Sequence, residues 1–126
     1  MSALHSAVRK HYAQPEAPQK TPRSLEYELI AQCTQRLITA WGNRPHQYVG
    51  LMSALDANQK MWSTLAVDVA QSSNGLPAKL RAQLFYLYEF TCQHSCAIRE
   101  RGASVEVLID INRAVMRGLR GDMGLE

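Results

Sequence analysis

The chain is short of most features that announce a chemistry. It has no apolar run approaching the ~20 residues of a membrane span, and no charged, apolar and small-residue succession opens it as a signal peptide would. A cytoplasmic protein without a membrane span is therefore expected. Cysteine is scarce and odd in number, three in 126 residues, which fits reduced thiols better than a disulfide framework. Glycine-rich phosphate loops, metalloprotease helices and nucleophile elbows are missing. No segment shows convincing strand alternation. Neither an enzyme nor a cofactor is expected.

An excess of charge of either sign is absent from the body of the chain as well. The formal net charge is +3. Residues 1–23 carry Arg9, Lys10, Lys20 and Arg23 against Glu16 alone, so the excess belongs to the N-terminal stretch. From Ser24 onward, ten basic residues face ten acidic ones. Nucleic-acid binding demands a positive surface, and direct binding of RNA or DNA is accordingly not expected.

What the chain does have is hydrophobic content at helical spacing. A hydrophobic fraction of 46% in 126 residues is one domain's worth of core. Thr21-Pro22 offers an N-cap with proline at N1, and Glu26 and Glu28 suit the positive end of a helix dipole. Leu29, Ile30, Cys33, Leu37 and Trp41 then follow the 3.6 period up to Gly42. Pro45 can open a second helix, whose Tyr48, Leu51, Leu55, Asn58, Trp62, Leu65, Ala66 and Val69 lie within about 60° of one line. Ser72-Ser73-Asn74-Gly75 is a turn, and Pro77 can open a third helix. Apolar residues spread widely round this third helix, with Leu80, Leu84, Leu87, Tyr88, Thr91 and Ile98 joined by Phe85, Tyr86 and Phe90. That breadth suggests the central helix. Gly102 ends it, Ser104 with Glu106 caps a fourth, and the chain frays past Gly118.

The pattern reads as all-α: a compact bundle of four main helices plus a short or partly ordered N-terminal helix. Residues 1–22 form a flexible or marginally helical basic segment, 23–120 the helical domain and 121–126 a frayed end. Within the first segment Leu4, Val8 and Tyr12 recur at i, i+4 over about Ser2–Ala13, and Gln14–Thr21 reads as a linker.

Cys92-Gln93-His94-Ser95-Cys96 invites a metal reading and does not sustain it. On a helix His94 points roughly 160–200° away from either thiol, and no second cluster completes a ligand set. Arg113, Arg117 and Arg120 share a face with Glu106 and Asp110, read as a solvated ladder that suits the dipole, with a docking surface for an acidic partner as the alternative. More informative are two strings that rhyme, Leu55-Asp56-Ala57-Asn58 and Ile109-Asp110-Ile111-Asn112. Each sets an Asn in an apolar stripe and an Asp on the polar side. A buried amide without partners costs about 1–3 kcal/mol. Asn58 and Asn112 are thus read as polar pins, each meeting a loop or helix-end carbonyl or else lining a groove for a partner's backbone. Trp41, Phe85, Tyr86 and Phe90 are the candidate partner-binding residues, with core packing as their ordinary alternative.

The same strings carry a resemblance. Pro22-Arg23-Ser24-Leu25-Glu26-Tyr27-Glu28-Leu29 resembles the opening motif of the FlaF family, flagellar biosynthesis regulators of alphaproteobacteria. Ala54-Leu55-Asp56-Ala57-Asn58-Gln59-Lys60-Met61-Trp62 resembles its Asn-to-Trp core. Leu76-Pro77 with Leu80-Arg81-Ala82 resembles its third-helix opening. Leu108-Ile109-Asp110-Ile111-Asn112-Arg113, with Met116 and Gly118-Leu119, is similar to its C-terminal signature. Gln59-Lys60 departs from the pattern, and Cys92 and Cys96 are individual to this sequence. The resemblance implies a protein needed for flagellin synthesis, export and filament assembly, with flagellin as partner. It would act as a type III export chaperone or regulator, beside the regulator FlbT. The alternative is a post-transcriptional regulator acting on flagellin mRNA directly, or an adaptor with FlbT.

Overall fold

The computed structural model describes residues 22–122. Four α-helices follow one another: α1 (Pro22–Gly42), α2 (Tyr48–Ala70), α3 (Ala78–Arg101) and α4 (Glu106–Asp122), with a 3₁₀ turn at Ser72–Asn74 between α2 and α3. No strand occurs among the described residues. The expected N-terminal segment before Pro22, with its helix near Ser2–Ala13, lies outside the described residues, as do residues 123–126.

Local chemistry explains most boundaries. Gly102 adopts a left-handed φ of 68°, and its N–H returns to the Ile98 carbonyl, an αL termination that a side chain would strain. Gly75, at φ 91°, turns the chain after the 3₁₀ segment in the same way. Ser104 Oγ accepts the Glu106 N–H at 3.1 Å and caps α4. Three expectations shift. Pro45 does not open α2, because the 43–47 stretch is held as a turn by Asn43 O accepting from His46 and Gln47 N–H groups; the helix begins at Tyr48. Tyr48 is exposed rather than part of the buried arc, since it stands at the helix start, beyond the core. The fourth helix continues through Gly118 to Asp122 instead of fraying there.

The helices run up-down-up-down. Arg36 donates to Ser53 Oγ (3.0 Å) and Cys33 to the Ala57 carbonyl (3.7 Å), an antiparallel register for α1 and α2. Gln59 Nε2 donates to Cys92 Sγ, and Arg81 reaches the Val69 carbonyl, which sets α3 antiparallel to α2. Extensive packing joins α1 to α2, α2 to α3 and α1 to α4, while α3 and α4 meet only sparsely. The helices with a full neighbour on both sides are thus α1 and α2, not α3. The wide apolar girth of α3 is left partly in solvent, with Leu80, Phe85 and Tyr86 all exposed.

Side chains divide the interior into layers. One apolar cluster holds Leu37, Leu51, Leu55, Ile98, Val105, Leu108 and Ile109; the other holds Trp62, Leu65, Val69 and Leu84. Between them every helix contributes a buried polar residue: Thr34 from α1, Asn58 from α2, Thr91 and Ser95 from α3, and Asn112 from α4. Thr34 and Thr91 return their hydroxyls to their own helices, at Ile30 O and Tyr88 O, both 2.7 Å.

The turn between α2 and α3 is clasped by one side chain. Arg81 donates to the carbonyls of Leu76 (3.2 Å) in the loop, Gln71 (3.3 Å) just past α2 and Val69 (3.4 Å) in its last turn, where carbonyls lack partners within the helix. Arg81→Ala should cost about 1–2 kcal/mol, seen as a Tm lower by roughly 5–10 °C.

Candidate functional site

Asn58 and Asn112 meet each other. Asn112 Nδ2 donates to Asn58 Oδ1 at 2.8 Å, and Trp62 Nε1 donates to Asn112 Oδ1 at 2.8 Å, with all three residues fully buried. The expected loop or helix-end carbonyl is therefore replaced by a side-chain chain. It joins α2 to α4 across the bundle's diagonal, where the backbones themselves do not approach. The reason is geometric: only a long side chain spans the interior, and amide and indole supply complementary donors and acceptors. Neither Asn lines an outer groove. The paired aspartates stay on the surface, with Asp110 exposed and Asp56 ion-paired to Lys60 at 2.9 Å.

Among the described residues, an apolar surface feature lies at the seam between α3 and α4. Because these two helices pack sparsely, an apolar groove of about 400 Å³ opens between them. Leu76, Leu80, Gln83, Leu84 and Leu87 form one wall, Ala114, Val115, Gly118 and Leu119 the other, and Leu65 of α2 the floor. The α4 wall is low because Gly118 carries no side chain, and a Cβ there would meet nothing within 4 Å. Glu26 lines one end; it is buried, turned into the bundle rather than placed on the first turn to serve the helix dipole.

The four candidate partner-binding aromatics are not brought together. Trp41 sits at the opposite end of the bundle, half-buried against the Leu37 cluster and covered by the Arg44 guanidinium 4.0 Å from its ring. Phe85 is exposed and packs edge-on to Tyr88, 5.7 Å between centroids. Phe90 is half-buried and stacks on His94. Tyr86 alone borders the groove region, in a shallow depression with Gln83 and Leu87, which also line the groove. The groove itself escaped the sequence reading. Its lining is ordinary core-type leucine, and the only hint was the small pair Ala114 and Gly118 on one face.

The residues of the family-like strings are mostly internal. Leu55, Trp62, Ile109 and Glu26 are buried, Tyr27 and Met116 half-buried, and Asp110 exposed. Among the described residues no group of three or more His, Cys, Asp or Glu side chains could hold a metal ion. His94 Nε2 lies 2.7 Å from the Ser104 carbonyl, which ties α3 to the start of α4. Burial raises the Cys33 thiol pKa, against the smaller lowering by Arg36.

No helix among the described residues is long and apolar enough to cross a membrane. A family model described as flagellar protein FlaF matches residues 8–119, most of the chain. No curated relative and no solved structure matches it.

Proposed function

The chain belongs to the FlaF family of flagellar proteins, and from that premise we propose that it binds flagellin in the cytoplasm, before export and filament assembly, holding one amphipathic helix of it in the α3–α4 groove. The observation that carries the reading is the groove. It is apolar, it is open along one side, and it runs between two helices, the geometry of helix-in-groove recognition. A filament protein awaiting export exposes amphipathic helices that otherwise self-associate, and such a groove shields one of them. The role is that of a chaperone, and it requires no reacting group. An adaptor acting with FlbT would use the same surface but would need the third protein for a stable complex. Direct action on flagellin mRNA is less well supported, since from Ser24 onward basic and acidic residues balance.

Size-exclusion chromatography of the protein with flagellin alone tests the proposal. A stable binary complex is expected. Gly118→Leu should weaken it at least tenfold by filling the groove, while thermal stability holds or rises slightly, because leucine replaces glycine within a helix. Unchanged affinity in Gly118→Leu would place the flagellin site elsewhere.

A further inference from the structure

We propose that the chain's own residues 2–13 occupy the α3–α4 groove in the unbound protein, so that a flagellin helix must displace them to bind. The displacement rests on the reading of the groove as the flagellin site; the self-occupancy does not.

The route of the chain is the first observation. Pro22 is the first residue of α1, and Glu26, one turn later, lines the end of the groove. The first described residue therefore stands about 6 Å along α1 from a residue that lines the groove. Residues 14–21 span up to about 26–29 Å when extended, enough to turn back and run along it. Size is the second. Leu80 to Leu87 extends about 10 Å along α3, and Leu4 to Tyr12 would extend about 12 Å along a helix, which matches one apolar stripe to one apolar slot. Chemistry is the third. Leu4, Val8 and Tyr12 fall on one helical face, while Arg9 and Lys10 fall outside it. Tyr12 presents a polar tip suited to an open rim. The family match begins at residue 8, so Val8 and Tyr12 lie within the family's unit.

A second copy of the chain fits the slot less well. A slot about 10 Å long offers far less surface than the roughly 1,200 Å² that a stable interface buries. Tethering favours the intramolecular segment instead, because a short linker supplies an effective concentration in the mM range. A weak segment then suffices to cover the groove and still yields to a tighter client.

Crosslinking in the full chain tests this. With Cys33, Cys92 and Cys96 replaced by alanine, Val8→Cys is paired either with Gln83→Cys, on the groove wall, or with Asp56→Cys, on the exposed face of α2. A short bismaleimide should join positions 8 and 83 within one chain at least fivefold faster than 8 and 56. Equal rates overturn the proposal. An independent readout keeps the native cysteines: Val8→Asp should raise the fluorescence of added anilinonaphthalene sulfonate severalfold as the groove is uncovered, and an unchanged signal counts against it. Adding flagellin should slow the 8–83 crosslink. If that crosslink forms selectively but flagellin leaves it unaltered, self-occupancy stands and the flagellin site lies elsewhere. If flagellin binds and no selective crosslink forms, the groove is a client site with no internal occupant.

Discussion

Asn112→Leu should lower the melting temperature by roughly 10–20 °C while the far-UV helix signal of the folded protein stays nearly constant. Leucine fits the interior, and helix propensity improves, so neither size nor local structure accounts for the loss. The damage is done to what remains. Asn58 Oδ1 loses the donor at 2.8 Å, and Trp62 Nε1 loses its acceptor at 2.8 Å, both in fully buried surroundings. Each orphaned group costs about 1–3 kcal/mol. Asn58 Nδ2 and Ser95 Oγ, also buried, already have no protein partner, so the substitution adds two stranded groups to a layer that is incompletely paired. Replacing the whole chain with Asn58→Leu, Trp62→Phe and Asn112→Leu should recover most of the lost stability, since no donor or acceptor is then stranded. The triple variant should also show a broader transition and a sharper loss of dispersed side-chain NMR signals than of helix content. Stability of Asn112→Leu within about 3 °C of the parent would show that the amide pair is not sealed from water.

Trp62→Ala is expected to be the most damaging single change, leaving the protein largely unfolded at 37 °C. Trp62 is wholly inaccessible and anchors the cluster of Leu65, Val69 and Leu84. Truncating a buried tryptophan costs about 3–5 kcal/mol through lost burial and the residual cavity. To this is added the stranded Asn112 carbonyl. A domain of this size has only about 5–15 kcal/mol in hand. Trp62→Phe separates the two contributions, because it keeps most of the ring volume and deletes only the N–H; a loss of about 1–2 kcal/mol is expected there. Circular dichroism melts of the parent and the two variants provide the comparison. A Trp62→Ala protein that melts within about 5 °C of the parent would contradict the burial on which both predictions depend.

The fold was legible because its signals are local. Helix caps at Gly102 and Ser104, the turn at Gly75 and the 3.6-residue stripes each depend on a few neighbouring residues. The asparagines were legible as polar residues in apolar stripes, but their partners were not. Asn58 and Asn112 are 54 positions apart, and no single-helix pattern says which faces oppose across a diagonal. The choice of central helix failed for a related reason. Apolar girth identified α3, yet centrality depends on which helices flank it, and α3 has a full neighbour on one side only. The unpacked remainder of that girth is where the groove lies, which is why leucines that read as core line a surface feature instead.

The diagonal amide pair also bears on the order in which the molecule can be completed. The three well-packed interfaces link α3 to α2, α2 to α1, and α1 to α4, so the last helix made docks against the first. During synthesis the α1–α3 portion can assemble from near neighbours in sequence, the kind of contact that forms fastest. Asn58 then faces the interior before its donor exists, and Trp62 before its acceptor. Closure waits for α4 to emerge and carry Asn112 back across the whole domain. A state in which α1–α3 had packed without α4 would hold Asn58 Oδ1 and Trp62 Nε1 unsatisfied, and docking of α4 supplies Asn112 to both.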